Sequence, residues 1–180
     1  MAWNCTSSPN GRNVRARGFI GPACLALAIA LSALSAGPAA AASVRISGLS
    51  DVAFGTITNF ATDSVQSQSL CVYSKSPPGN NYRVTASGSG AGGAFLLDSG
   101  SGTLPYELQW SDMAGQVAGS QLLANQPLTA QNSTASNAVD DCSKGPASTA
   151  SLIVILRSAT LGAASSGSYS GTLTLLVAPE

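Results

Sequence analysis

Gly167-Ser-Tyr-Ser-Gly-Thr-Leu-Thr-Leu-Leu-Val-Ala-Pro-Glu180, the last stretch of the chain, decides how the rest is read. Leu173, Leu175 and Val177 fall on one side of its alternation and Thr172 and Thr174 on the other, the two-residue period of a strand with one buried face. The sequence ends there, so the expectation is a strand whose outer edge has no neighbour within the chain. Such an edge presents a row of unpaired N–H and C=O groups beside an apolar face, which invites a strand from another molecule.

The same alternation recurs upstream. Leu104, Tyr106, Leu108 and Trp110 alternate with Pro105, Glu107 and Gln109 and predict one half-buried strand, with Pro105 marking an edge or bulge. Tyr82, Val84 and Ala86 alternate in the same way, and further strands are predicted over residues 44–47, 52–58, 67–74 and 94–97. Leu152-Ile-Val-Ile-Leu156 is apolar at every position, as in a strand covered on both faces. The gaps Lys75-Ser-Pro-Pro-Gly-Asn-Asn81, Gly88-Ser-Gly-Ala-Gly-Gly93 and Asp98-Ser-Gly-Ser-Gly102 are turn chemistry, and residues 126–148 read as a long polar surface connection. No segment sustains a 3.6-residue apolar period. The fold class is therefore all-β, and six or seven strands in this length point to an incomplete immunoglobulin-like β-sandwich lacking its last strand.

The N-terminus has the order of a secretory signal peptide: Arg12, Arg15 and Arg17, an apolar core from Ala23 to Leu34, then small residues through Ala42. That core is shorter than the ~20 residues of a spanning helix, and no second such stretch follows, so no membrane span is expected after cleavage. Cys24 opens the apolar core rather than following it, which argues against a lipid-attachment cysteine. The organisation predicted is residues 1–42 as signal peptide and 43–180 as one domain. Five basic and eight acidic residues remain after cleavage, a net charge of −3, so nucleic acid is not an expected partner. Cys71 and Cys142 are left as the sole cysteine pair of an exported chain and predict one disulfide.

Chemistry has few footholds. The chain has no histidine, which removes Ser-His-Asp and Cys-His catalysis and imidazole metal sites. Asp140 and Asp141 are adjacent, and neighbouring side chains diverge in loop or strand backbone, so a solvated loop is expected rather than an acid/base pair or calcium site. Gly88-Ser-Gly-Ala-Gly-Gly93 matches G-x-G-x-x-G after a strand, but Ala94-Phe-Leu-Leu97 reads as another strand, and the helix N-terminus that binds a phosphate is missing. Asn132-Ser-Thr134 is a glycosylation sequon. Tyr106 and Trp110 share a face with Leu104 and Leu108, which assigns them to the core rather than to stacking on a sugar. No catalytic, metal or cofactor-binding residue is predicted, and an exported hydrolase is disfavoured.

Phe54-Gly55, Leu70-Cys-Val-Tyr-Ser74, Tyr82-Arg-Val-Thr-Ala-Ser-Gly88, Leu104-Pro-Tyr-Glu-Leu108 and the closing 167–177 segment, in this order behind a leader and with two cysteines, resemble the spore coat U domain family. That family includes subunits of archaic chaperone-usher pili. The resemblance implies a subunit bound in the periplasm by a chaperone, passed to an outer-membrane usher, and completed in the fibre by the N-terminal strand of the next subunit. It implies a cell-surface fimbrium as the destination and no cofactor. Carried onto this chain, the groove edge would be Leu173, Leu175 and Val177, and its floor Leu152, Val154 and Leu156. One departure stands out: only Ser43-Val-Arg-Ile-Ser47 precedes Gly48, two apolar positions where a donor needs about ten alternating residues. The chain is thus expected to accept a strand and give none, which suits a fibre tip. The competing expectation is a self-complete exported sandwich that binds a carbohydrate or protein receptor as an adhesin.

Overall fold

The structure is a computed structural model that describes residues 41–139 and 141–180. The expected leader up to residue 40, and Asp140, lie outside the described residues. In chain order the strands are β1 (Ser43–Ser47), β2 (Ser64–Lys75), β3 (Asn81–Gly88), β4 (Leu96–Asp98), β5 (Thr103–Pro105), β6 (Glu107–Ser111), β7 (Ser120–Leu122), β8 (Pro127–Asn132), β9 (Ala150–Leu156) and β10 (Leu173–Pro179). One short helix, α1 (Ser158–Leu161), follows β9.

Two antiparallel sheets form the body. The larger has the order β1-β2-β9-β6-β7 and the smaller β10-β3-β8, with a separate hairpin of β4 and β5. The fold is all-β and sandwich-like. Inward side chains of both sheets make the core: Leu70 and Val72 of β2, Leu108 and Trp110 of β6, and Leu152 and Val154 of β9 pack with Tyr82, Val84 and Ala86 of β3. Each large side chain so covered contributes roughly 1.5–3 kcal/mol. At the centre Trp110 meets Tyr82 edge to face, with ring centroids 6.4 Å apart, and its Nε1–H donates to the Tyr82 hydroxyl at 3.2 Å. The two aromatics therefore bury their polar ends together. Burial pushes the Tyr82 phenol up to about 12.

The two flanks of the sandwich differ. On one, β7 leaves the larger sheet and the chain crosses through residues 123–126 to become β8 of the smaller. The crossing is fixed by Asn125, whose N–H donates to the Ala86 carbonyl at 2.8 Å and whose Nδ2 donates to that of Gly92 at 2.7 Å. That flank is sewn by covalent chain. On the other flank β1 and β10 lie against each other but share no ladder.

Several sequence expectations need revision. Residues 52–58 form no strand: Gly55 turns the backbone at φ 65°, and no neighbouring strand lies alongside to pair with it. The single strand expected over 104–110 is two. β5 pairs with β4, and after Tyr106 the chain changes partner to β9 as β6, while Leu104, Tyr106, Leu108 and Trp110 all stay on the core side. Alternation reports the buried face and is silent on the hydrogen-bonding partner. Pro105 does sit on a two-stranded edge, as its missing N–H requires. The polar stretch 126–148 begins with β8, an edge strand whose burial is too slight to show as an apolar pattern. Beyond it, residues 133–139 and 141–149 fold over β2. Thr149 Oγ1 accepts from the Val72 N–H at 2.8 Å and donates to the Val72 carbonyl at 2.9 Å, and Ser133 Oγ donates to the same carbonyl at 2.6 Å. Cys71 and Cys142 are joined by a disulfide, Cα to Cα 6.1 Å, which ties this connection to the sheet.

Candidate functional site

The open flank leads into a groove between the sheets. Its floor is β9, buried along its whole length. The even positions Leu152, Val154 and Leu156 face the groove, and opposite Leu152 and Val154 on β2 stand Gln68 and Gln66. Directly opposed residues share a face, so the inner surface passes from apolar on β9 to polar on β2. The wall is β10, whose Leu173 and Leu175 point in and remain half-buried. β10 pairs with β3 alone, so its outer row of backbone groups is unpaired among the described residues.

The structure thus brings Leu152, Val154, Leu156, Leu173 and Leu175 together around one space. Val177 packs on the same core but is not among the residues that line the groove. Reasoning from the sequence missed other contributors. Leu97, Leu104 and Tyr106 close the far side, and residues 49–60 run along the rim with Phe54 and Ile57 turned inward. These come from loops and from a hairpin whose placement no local pattern announces.

The groove encloses about 1380 Å³, above the ~300–1,000 Å³ usual for small-molecule sites. Asp51 is the one charged residue lining it among those described. The far end is closed by a backbone pair between Asp98 and Ser170, 2.8 and 3.0 Å. Apolar pockets beside an unpaired strand edge can take alternate side chains of an extended polypeptide while its backbone completes the ladder.

Charge is concentrated elsewhere, at the end of β9. Arg157 joins Asp63 at 2.7 Å and also Glu107, tying the starts of β2 and β6 to the end of β9. The Ser158 backbone N–H and the Arg157 guanidinium hold the Asp63 carboxyl below its usual range, and Arg157 does the same for Glu107. Asp141 is lowered chiefly by the Ser143 hydroxyl, then by the Ser143 N–H, as in a solvated loop. The glycine-rich 88–93 segment makes a 3-10 turn and runs into β4, with no helix after it. A Cβ on Gly88 would sit 2.3 Å from the Ala94 carbonyl oxygen, so glycine is required there by close packing of two backbones. Of the sequon, Asn132 is exposed and its amide donates to Asn81, while Ser133 is buried. Trp110 and Tyr106 are in the core, as their shared face predicts.

An all-β sandwich with one sewn and one open flank is the class that the fold defines. No protein-family model matches the chain, and no curated protein matches it. Among solved structures it is similar to one described as a chaperone-tip adhesin complex vital for synergistic activation of CFA/I fimbriae biogenesis. The TM-score is 0.49 and the identity 17%, over 76% of this chain and 41% of that one, so the match spans less than half of the other protein's length.

Proposed function

We propose that this protein is a structural subunit of a surface pilus of the spore coat U type, assembled through donor-strand complementation and without catalytic activity. One observation carries the reading: an apolar groove, floored by Leu152, Val154 and Leu156, runs beside the unpaired edge of β10. A strand laid there would gain backbone hydrogen bonds along Leu173 and Leu175 and bury its own side chains against the floor. The motif resemblance supplies the setting: a periplasmic chaperone that fills the groove in transit, an outer-membrane usher, and neighbouring pilus subunits at the cell surface. Placement at the fibre tip is supported by β1, the one alternating segment ahead of Gly48 among the described residues. It is already committed to the subunit's own sheet, pairing with β2 and turning Val44 and Ile46 onto the core, so it is not free to serve a neighbour.

The test is to express the exported protein with and without a fused donor peptide of alternating apolar residues. The reading expects a fragile or aggregating subunit that the fusion converts into a monomer with a clearly raised denaturation midpoint. A free subunit that is monomeric and as resistant to urea as the fusion would instead establish a self-complete adhesin module. Immunolabelling that finds the protein spaced along a fibre shaft would remove the tip placement.

A further inference from the structure

Residues 51–58 are pinned at both ends and unheld between them. At the first end the Gln68 amide grips Ser50 as a neighbouring strand would: the Ser50 N–H donates to Oε1 at 3.0 Å, and Nε2 donates to the Ser50 carbonyl at 3.1 Å. At the second, Asn59 accepts from the Ala61 N–H at 3.0 Å and donates to Thr62 Oγ1 at 3.2 Å. Asp63, next in line, is fixed by Arg157 and by the Ser158 N–H. Among the described residues no backbone hydrogen bond holds 51–58, yet Phe54 and Ile57 are half-buried against the core inside the groove. Between them Gly55 sits at φ 65° with open space where a Cβ would be. Apolar side chains are all that keep this segment in place, the condition of a segment that opens at low cost.

We propose that residues 51–58 are a movable strap that plugs the unfilled groove with its own Phe54 and Ile57 and swings out when a strand from another subunit enters. This rests on the donor-strand reading above. The strap shields apolar floor that would otherwise face water, and it competes with the incoming strand for the same space. Binding is then weakened by the fraction of subunits in which the strap is closed. The two anchors keep the strap close to the groove throughout.

The experiment uses the exported protein carrying Phe54→Trp, with acrylamide quenching of the introduced indole as readout; Trp110 is fully buried and contributes little. In the unfilled subunit the emission of that indole should be shielded several-fold relative to the urea-unfolded chain, and fusion of the donor peptide should abolish most of the shielding. Quenching equal to the unfolded chain, or unchanged once a raised midpoint shows the groove filled, overturns the strap. A second arm needs no partner strand. F54S/I57S should bind an apolar anilinonaphthalene dye several-fold more than the parent, with the near-ultraviolet signal of the Trp110–Tyr82 pair kept as proof of folding; equal dye binding in a folded double variant also overturns it. If the fusion leaves the midpoint unchanged, strand capture fails while the dye arm still decides the strap.

Discussion

Trp110 and Tyr82 illustrate how few polar groups the interior carries and how fully they are committed. Tyr82→Phe would leave the indole N–H buried without a partner, and the expected cost is about 1–3 kcal/mol, read from the urea midpoint. The same hydroxyl links stability to alkaline pH. Its folded pKa is raised from 10.0 to about 12, so the contribution is complete below 10 and is lost as pH rises toward 12. Tyr82→Phe should remove that part of the alkaline profile. At the acid end Asp63 and Glu107 titrate below their ordinary values because of Ser158 and Arg157. Lowered carboxyls stabilise above their unfolded pKa values of 3.8 and 4.5, and the effect is lost as pH falls through the folded ones. Arg157→Gln should therefore weaken the protein at neutral pH, and the difference from the parent should begin to shrink in acid unfolding curves only below roughly pH 4.

At the scale of elements, the connection after β8 is held to the sheet by a hydroxyl and a disulfide. Thr149→Val keeps the shape of the side chain but strips Val72 of a partner for its N–H, and a loss of about 1–3 kcal/mol in chemical denaturation is expected. The Cys71–Cys142 bond spans a sequence separation of 71 residues, for which chain entropy gives about 4 kcal/mol. Reduction, or the double alanine variant, should lower the midpoint by a corresponding amount. The strands themselves were legible to different degrees. β9, apolar at every position over 152–156, and β10, with Leu173, Leu175 and Val177 on one face, stand where the sequence places them. β7 and β8 are edge strands of three and six residues with little burial, so they leave no periodic trace, and β5 and β6 share one alternation although they belong to different sheets.

For the whole molecule the decisive feature is the difference between its two flanks. Filling the open one would complete the burial of Leu173 and Leu175, since the β9 floor is already buried. At roughly 1.5–3 kcal/mol for a large side chain taken from full exposure to full burial, covering the remaining half of these two contributes about 1.5–3 kcal/mol, to which the donor's own buried side chains add, a large share of a typical 5–15 kcal/mol domain stability. Leu175→Asp should lower the midpoint of the protein alone only in part, since this residue is half-buried against the core there, and sharply reduce the further gain in midpoint from a fused donor peptide. A gain equal to that of the parent would place the donor somewhere other than along β10.

Local sequence determined the strand class, the half-buried faces, the assignment of Tyr106 and Trp110 to the core and the pairing of Cys71 with Cys142. The first three depend on side-chain period, a local property, and the last on the expectation that Cys5 and Cys24 leave with the leader, which makes Cys71 and Cys142 a lone pair. Of the site, the buried face of Leu173 and Leu175 was legible in alternation, whereas Leu152, Val154 and Leu156 stand in a continuous apolar run and were assigned to a groove floor only through the family resemblance. Only the tertiary structure decided that Val177 is not among the residues that line the groove, that residues 52–58 have no ladder partner, and that Phe54 and Ile57 enter the space from its rim. The reason is physical: a residue's face is set by its own backbone, whereas its neighbours across a sandwich are set by where distant segments come to rest.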